Sequence, residues 1–378
     1  MGRAARPPAG PLILLLHNRY RVPGGEERAV EDLAWLIRTE LGEEAAVLER
    51  ASERLGGARA AAGLLAGGLR PGAVGDLVRR SGARVVHAHN VHPAFGWRAL
   101  AAARDAGARV VLHLHNYRLV CAVATCFTHG EDCTRCHGRN TLPGVALRCR
   151  GSLAESVVYA AGLSLWQRRL VESVDAFVVP SAFALGRLRE LGAPLGARAP
   201  VIPSVQRSFA SQSGAAAGRY ALAVGRLSPE KGFADAIAAC ARSGVPLLVA
   251  GDGPQRDELR ALGGDVRFTG HVSAAELAAL RRDAAVAVVP SRYAEILPLA
   301  ALEAMAAGLP VVAARAGGLA EVVPAEGLFP PGDVVALVER VSALWADSVA
   351  GDRALAAARA LYAPSVVAAL LRDVYDGH

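Results

Sequence analysis

Short apolar runs alternate with longer amphipathic segments along almost the whole chain. Pro11–Leu16 reads as a buried first strand, because its apolar residues are continuous rather than alternating. Glu26–Leu41 follows with Val30, Leu33, Ile37 and Leu41 at the spacing of one helix face. Ala45–Leu48, Arg84–His89, Arg109–His115 and Asp175–Pro180 read as further strands. Helices fit between them, for example over Trp97–Ala106 and Leu153–Glu172. Strands that alternate with helices predict a parallel sheet covered on both faces.

The rhythm lapses from Val205 to Gly218 into Ser, Gln, Ala and Gly, which marks a linker. It then restarts with strands over Tyr220–Val224, Val245–Gly251, Val266–Thr269, Ala284–Pro290 and Pro310–Ala313. A chain of 378 residues exceeds one ordinary core. The expected fold class is therefore α/β, with two Rossmann-like doubly wound domains over 1–205 and 218–360. Pro364–Asp376 has the pattern of an amphipathic helix, with Val366, Val367, Leu370, Leu371 and Val374 apolar. The segment 361–378 is expected to cross back to the N-terminal domain. One stretch breaks the alternation: 117–150 is rich in Cys, Thr, Gly, His and Arg and has little periodicity. An irregular insert after a strand's carboxyl end often carries function in this fold class.

Charge changes the picture at one position. The net charge is +7, with 42 basic residues, and Lys231 is the only lysine. An excess of Ala, Gly and Arg points to compositional bias, so the charge itself says little. No dense basic run with interleaved aromatics supports nucleic-acid binding. A mild attraction to phosphorylated substrates or an anionic surface fits, and any membrane association is expected to be peripheral. No stretch reaches the roughly 18 uninterrupted apolar residues of a spanning helix. Leu12–Leu16 ends at His17 and is too short for a signal peptide, so a cytoplasmic location is the expectation.

Two segments carry candidate chemistry. Gly225–Gly232 links a strand to a helix that starts near Phe233. Such a turn presents backbone N–H groups and the positive helix end at the sheet's carboxyl edge. Arg226 and Lys231 there would make an anion site suited to a diphosphate; the alternative is a surface turn with two solvated charges. Ser291–Met305 follows the strand Ala284–Pro290, with Pro298 placed for the first helical position and Gly308 and Pro310 for the stop. Glu295 then lies in the loop before the helix and Glu303 inside it. Glu303 could accept from two vicinal hydroxyls, as a ribose offers, and Glu295 could reach a more distant ring. Alternatively the pair are ordinary helix-entry charges stabilised by the dipole.

The Gly-Arg-Lys turn, the E-x7-E segment EILPLAALE and the following AMAAGLPVVA resemble family 4 retaining glycosyltransferases of the GT-B fold. HNRYRVPGGEE, VVLHLHNYR, VAGDGPQRDEL and VRFTGHVSAAELAALRRDAAVAVVPS resemble further segments of that family, in the same order. The resemblance implies two domains facing across a cleft and a nucleotide diphosphate sugar donor of UDP or GDP type. The acceptor would be a hydroxyl compound of unknown identity. It implies that Gly24 and Gly25 let backbone approach the diphosphate, and that Arg226 and Lys231 neutralise it as it leaves, with no catalytic metal and no cofactor. Glu303 would bind the ribose, Glu295 the donor sugar, and His115 would lie near the anomeric centre. The amides of Leu297 and Leu299 would meet phosphate, and His271 and Val272 the base. The family keeps the anomeric configuration, with front-face displacement favoured, so the two glutamates bind substrate and are not a glycosidase-like pair.

Two departures stand out. The family often has Glu-Gly-Phe-Gly where this chain has Glu295-Ile296-Leu297-Pro298, and Pro298 removes a backbone donor. The family's Asn-Gly pair is replaced by Ser204-Val205. Among other readings, a nucleotide-sugar 2-epimerase of the same fold fits less well, because the E-x7-E segment with its Gly-Arg-Lys partner favours a transferase. A non-catalytic subunit is disfavoured by intact Arg226, Lys231, Glu295 and Glu303. A nicotinamide dehydrogenase would need Gly-x-Gly-x-x-Gly after the first strand. His87, His89 and His92 surround a strand end, as ordinary polar residues or as a metal site, and strand alternation predicts His113 on the opposite face from His115. Cys133-x2-Cys136 has ligand spacing, and Cys121, Cys126 and Cys149 could complete a set. A structural metal, reduced thiols and disulfides all remain open for that group.

Overall fold

The computed structural model describes residues 12–19, 25–196, 199–296 and 298–377. The chain forms two compact units. The first comprises Met1–Cys126, Cys133–Val205 and Pro364–His378; the second comprises Phe127–Asp132 and Gln206–Ala363.

The strands of the first unit's sheet are β1 (Leu12–Arg19), β2 (Glu44–Ala51), β3 (Ala83–Ala88), β4 (Arg109–His113) and, after the two-residue β5 (Phe127–Thr128) and β6 (Glu131–Asp132), β7 (Ala176–Val178). The order is β2-β1-β3-β4-β7, every pair parallel. The chain runs outward from β1 to β2, then returns to the other side of β1 as β3. That reversal opens a crevice beyond the carboxyl ends of β1 and β3, where ligands bind in such sheets. Buried Ile13, Leu15, Val85, Val111 and Val178 pack beneath Val30 and Leu33 of the helix Gly25–Leu36. The predicted first helix is α-helical only to Leu36; Ile37–Leu41 form a wider π turn, closed at Gly42 in the left-handed region (φ 69°).

The carboxyl-terminal helix Pro364–Asp376 belongs to this unit. It buries Val367, Leu371, Val374 and Tyr375 against the same core. Arg109 Nε donates to the Val374 carbonyl at 2.8 Å. By length and composition alone, Ser348–Asp376 could cross a membrane. It is instead two helices, Ser348–Tyr362 and Pro364–Asp376, and each buries one apolar face in a different unit's core.

The second unit's sheet contains β8 (Ala221–Val224), β9 (Leu247–Ala250), β10 (Val266–Gly270), β11 (Val286–Val289), β12 (Val311–Ala314) and β13 (Leu328–Phe329). The order is β10-β9-β8-β11-β12-β13, all parallel, with apolar cores on both faces. This is the doubly wound Rossmann order, and its switch point lies between β8 and β11. β13, with only two residues, is too short for a periodicity signal.

Candidate functional site

Both candidate segments emerge at that switch point, because β8 and β11 are neighbours in the sheet. After β8 the chain turns at Gly225, makes one 3-10 turn at Pro229–Lys231 and enters the helix Phe233–Ser243. Gly232 is left-handed (φ +68°), and a Cβ added there would stand 2.1 Å from the Pro290 carbonyl oxygen. Only glycine lets the two loops approach so closely. Two further contacts fasten them. The Arg292 N–H donates to the Glu230 carbonyl at 2.8 Å, and the Arg292 guanidinium holds Asp235 through two bonds of 2.8 and 2.5 Å.

This zipping sets Lys231 Nζ 2.8 Å from Glu295 Oε1. The Ser291 hydroxyl donates to the same oxygen. Nζ also lies 3.5 Å from the Tyr293 hydroxyl and 5.1 Å from the centre of its ring. Burial alone would push the ammonium down, but the Glu295 charge and its hydrogen bond hold it above the usual lysine range. The Tyr293 hydroxyl is pushed up to about 12 by burial and by Glu295. The Glu295 side chain is 6% exposed and that of Lys231 25%, so the cation is the open end of the pair. Glu295 is held from behind by Gly318, whose N–H donates to its carbonyl at 2.7 Å. At Gly317 (φ +59°) a side chain would meet the Glu295 backbone nitrogen at 2.5 Å.

Glu303 lies in the helix Leu299–Ala306, which begins after Pro298, one residue later than predicted. Its carboxylate is gripped by Arg281, from the end of the helix Ala274–Arg282; their side chains are 15% and 9% exposed. Leu299 opens the helix, and Val272 packs half-buried against the core under the loop after β10. Arg226 is 56% exposed and pairs with Glu230 at 2.8 Å, so it stands at the rim and not at the Lys231–Glu295 contact. Leu297 and Gly24 lie outside the described residues; Gly25 opens the helix after β1. The second unit thus gathers a buried-edge ammonium, two carboxylates held by cations and a helix start at one sheet edge. That set can take a phosphate group and a polyol together.

The first unit's switch point carries histidines. Asn18 and Asn90 hold the ends of β1 and β3 together, Asn18 N–H to the Asn90 carbonyl at 2.8 Å and Asn90 Nδ2 to the Asn18 carbonyl at 2.7 Å. His89 Nδ1 and His115 Nε2 are 2.7 Å apart, sharing one proton. The His113 and His115 rings stack at 4.0 Å, so the predicted opposite orientation fails. The reason is that side chains two residues apart along a strand point to the same face, so alternation places the two rings together. His87, His89 and His113 stack with their ligand atoms within 4.8 Å of one another. Burial, reinforced by neighbouring imidazoles, pushes all four below the ordinary histidine range, His87 to about 3. They are neutral at pH 7. His115 therefore offers a neutral imidazole at its strand end.

Several residues escaped sequence reasoning: Ser291, Tyr293, Arg281, the Arg292–Asp235 clamp and the Gly317–Gly318 support. The glycine pair just after a strand was a readable signal. Arg281 was one arginine among 41, and nothing in its spacing marked it.

Comparison with known proteins agrees with this fold. Residues 218–347 match the model of glycosyl transferases group 1, and residues 41–204 that of the glycosyl transferase 4-like domain. A Mycobacterium tuberculosis glycogen synthase is 38% identical over 209 residues, 50% of each chain. A GDP-mannose-dependent alpha-mannosyltransferase of Mycolicibacterium smegmatis is 32% identical over 161 residues, 40% of this chain and 43% of that protein. The chain thus spans about half the length of the curated relatives it matches. Among solved structures, sucrose-phosphate synthase from Thermosynechococcus elongatus superposes with TM-score 0.71 at 20% identity, covering 97% of this chain and 98% of that one. Anabaena Alr3699/HepE in complex with UDP and glucose gives 0.65 at 19% identity, covering 97% and 99%. The switch-point site and the matches to both halves lead to one assignment: the chain belongs to the family 4 glycosyltransferases of the GT-B fold.

Proposed function

We propose that this enzyme transfers a hexose or amino-hexose from a nucleotide diphosphate sugar to a hydroxyl acceptor, with retention of anomeric configuration. The observation that carries the proposal is the only lysine of the chain, seated against Glu295 at the β8/β11 switch point. In this reading the donor diphosphate meets the Lys231 ammonium, and Arg226 turns from Glu230 to assist it. Glu303, held by Arg281, takes the ribose hydroxyls. Glu295 exchanges part of its contact with Lys231 for a hydroxyl of the donor sugar. His115, neutral in the fold, hydrogen-bonds the sugar near its anomeric carbon. The amide of Leu299 and the loop at Val272 complete the donor's phosphate and base contacts.

The reaction forms a bond from the acceptor oxygen to the anomeric carbon while that carbon's bond to the β-phosphate oxygen breaks. The departing phosphate takes the acceptor proton. Positive charge from Lys231 and Arg226 stabilises the phosphate as negative charge builds on it, which is the largest single term in many such active sites. No divalent ion is required in this scheme, since two cations occupy the role. Relatives support a nucleotide-sugar donor of UDP or GDP type: some are named as GDP-mannose-dependent, and the Anabaena structures hold UDP or UDP-glucose.

The test is a screen of UDP-, GDP-, ADP- and dTDP-sugars for nucleoside diphosphate release, followed by an acceptor screen with the active donor and NMR of the product's anomeric coupling. One donor class should be consumed, with retention and with undiminished turnover in EDTA. An inverted product refutes the mechanism. Conversion of the donor to its 2-epimer, without acceptor, refutes the transferase reading.

A further inference from the structure

The imidazole of His115 is held on two sides. His113 stacks on its face, with 4.0 Å between ring centres and 13° between planes. His89 meets its edge, Nδ1 to Nε2 at 2.7 Å. The ring centres of His89 and His115 lie 5.0 Å apart with 18° between planes. That separation matches the contact distance plus two ring radii, so the contact runs along the line of centres and in the plane of both rings. A linear, in-plane approach is the geometry of a strong N–H···N bond. It occupies Nε2 of His115, and the half-buried ring has only Nδ1 left for a substrate.

His89 is itself fixed in place. It follows β3 directly, and its backbone N–H donates to the Leu16 carbonyl at 2.9 Å. Its ring packs on that of His87, with 4.8 Å between centres and 10° between planes. His87 Nδ1 in turn bonds the Tyr375 hydroxyl of the carboxyl-terminal helix at 2.7 Å. His87, His89 and Tyr375 are all buried.

The proton in the His89–His115 contact can be placed in two ways. Burial keeps both rings neutral, so one nitrogen of the contact donates and the other accepts. If His115 donated, His89 would carry its own hydrogen on Nε2. That atom is fully buried and has no hydrogen-bond partner among the described residues. A buried N–H without an acceptor is the rarer kind of orphan in folded proteins. If His89 donates from Nδ1, its Nε2 holds only a lone pair, and His115 carries its hydrogen on Nδ1. The bond made by one ring nitrogen sets the state of the other.

We propose that His89 is a positioning residue: it donates from Nδ1 to His115 Nε2 and fixes His115 as the Nδ1–H tautomer, which offers that N–H to an oxygen of the donor sugar. The tautomer follows from the first unit alone, while the sugar rests on the transferase reading above. With Nε2 occupied and Nδ1 protonated, His115 has no free lone pair. It can donate beside the anomeric carbon but cannot take the acceptor's proton, which leaves that proton to the departing phosphate. A neutral donor also adds no positive charge beside a carbon that becomes electron-poor as its bond breaks.

Long-range proton–nitrogen NMR correlation on full-length protein with labelled histidine rings reads the tautomer directly, without substrate. The His115 signals are assigned by their loss in His115→Ala. Wild type should show a protonated Nδ1 and an unprotonated Nε2 at His115. His89→Ala should move that ring to the Nε2–H form or a mixture. It should also lower kcat about tenfold, as expected for one lost hydrogen bond to the reacting sugar, with a smaller change in donor KM. In a His115→Ala background the same substitution should change kcat by less than about threefold, because its effect passes through His115. His89→Asn, whose amide can donate from the place of Nδ1, should restore the tautomer and most of the kcat lost in His89→Ala. Should the His89 variants fail to fold, the wild-type spectrum decides alone. An Nε2–H tautomer at His115 in wild type, or a loss of kcat that persists undiminished in the His115→Ala background, overturns the proposal. The spectrum needs no substrate, so its failure is distinct from failure of the donor screen, which would overturn the transferase reading and leave the tautomer standing.

Discussion

Lys231→Ala separates the two roles the ammonium could have. In the fold it neutralises Glu295, whose side chain is 6% exposed. Removing one partner of a buried ion pair costs roughly 3–5 kcal/mol. Lys231 is itself a quarter open and Ser291 still donates to the carboxylate, so a loss of about 2–3 kcal/mol in stability is expected. In catalysis, loss of one charge-stabilising group should lower turnover by about 10²–10³, or about 2.7–4 kcal/mol in the transition state. A double-mutant cycle with Glu295→Gln distinguishes these effects. Neutralising the carboxylate in Lys231→Ala/Glu295→Gln should restore part of the stability, because no charge is left buried. It should not restore turnover. Calorimetry reads the first quantity and nucleoside diphosphate release at saturating donor the second. Turnover of folded Lys231→Ala within about threefold of wild type, or activity that recovers together with stability, would refute the reasoning.

The other predictions probe different contacts. Arg281→Gln should raise the donor KM about tenfold or more with a smaller change in kcat, since Arg281 orients Glu303 and touches no reacting atom; a pure kcat effect in initial-rate kinetics would contradict it. Gly317→Ala should destabilise the second unit and impair donor binding, because its Cβ meets the Glu295 backbone; unchanged melting and KM would count against that packing. Acid should destabilise the first unit. His87 is held neutral to about pH 3, whereas the unfolded chain protonates it near 6.5, so stability falls as pH drops through that window. His87 alone should cost about 2 kcal/mol by pH 5, read by denaturant melts, and its replacement by Phe should flatten the slope. Lys231, raised above 10.5, remains charged in that range and adds nothing to the slope.

Much of the fold was legible because strand–helix alternation leaves a strong periodic signal. The first strand of each unit, Pro11–Leu16 and Tyr220–Val224, which borders that unit's switch point, needed only its continuous apolar run. The candidate donor loops were legible through the glycines and the lone lysine that a close loop crossing requires. What stayed hidden was tertiary. No local pattern distinguishes Arg281 from other helical arginines until Glu303 is seen against it. His113 was misplaced relative to His115 because residues two apart on a strand share a face, a period the expectation miscounted. The Phe127–Asp132 hairpin groups with the second unit, where the Phe127 ring meets that of Tyr293 edge-on, and its sequence carries no trace of that.

In the proposed transfer, the donor's diphosphate is held by Lys231 between the two glutamates. Titration calorimetry of nucleoside diphosphate against the matching monophosphate, on wild type and Lys231→Ala, tests it most directly. The diphosphate should bind at least about tenfold tighter to wild type, and the gap should close in the variant, as expected when a charge-assisted bond is lost. Equal affinities in wild type, or an undiminished gap in Lys231→Ala, would contradict it.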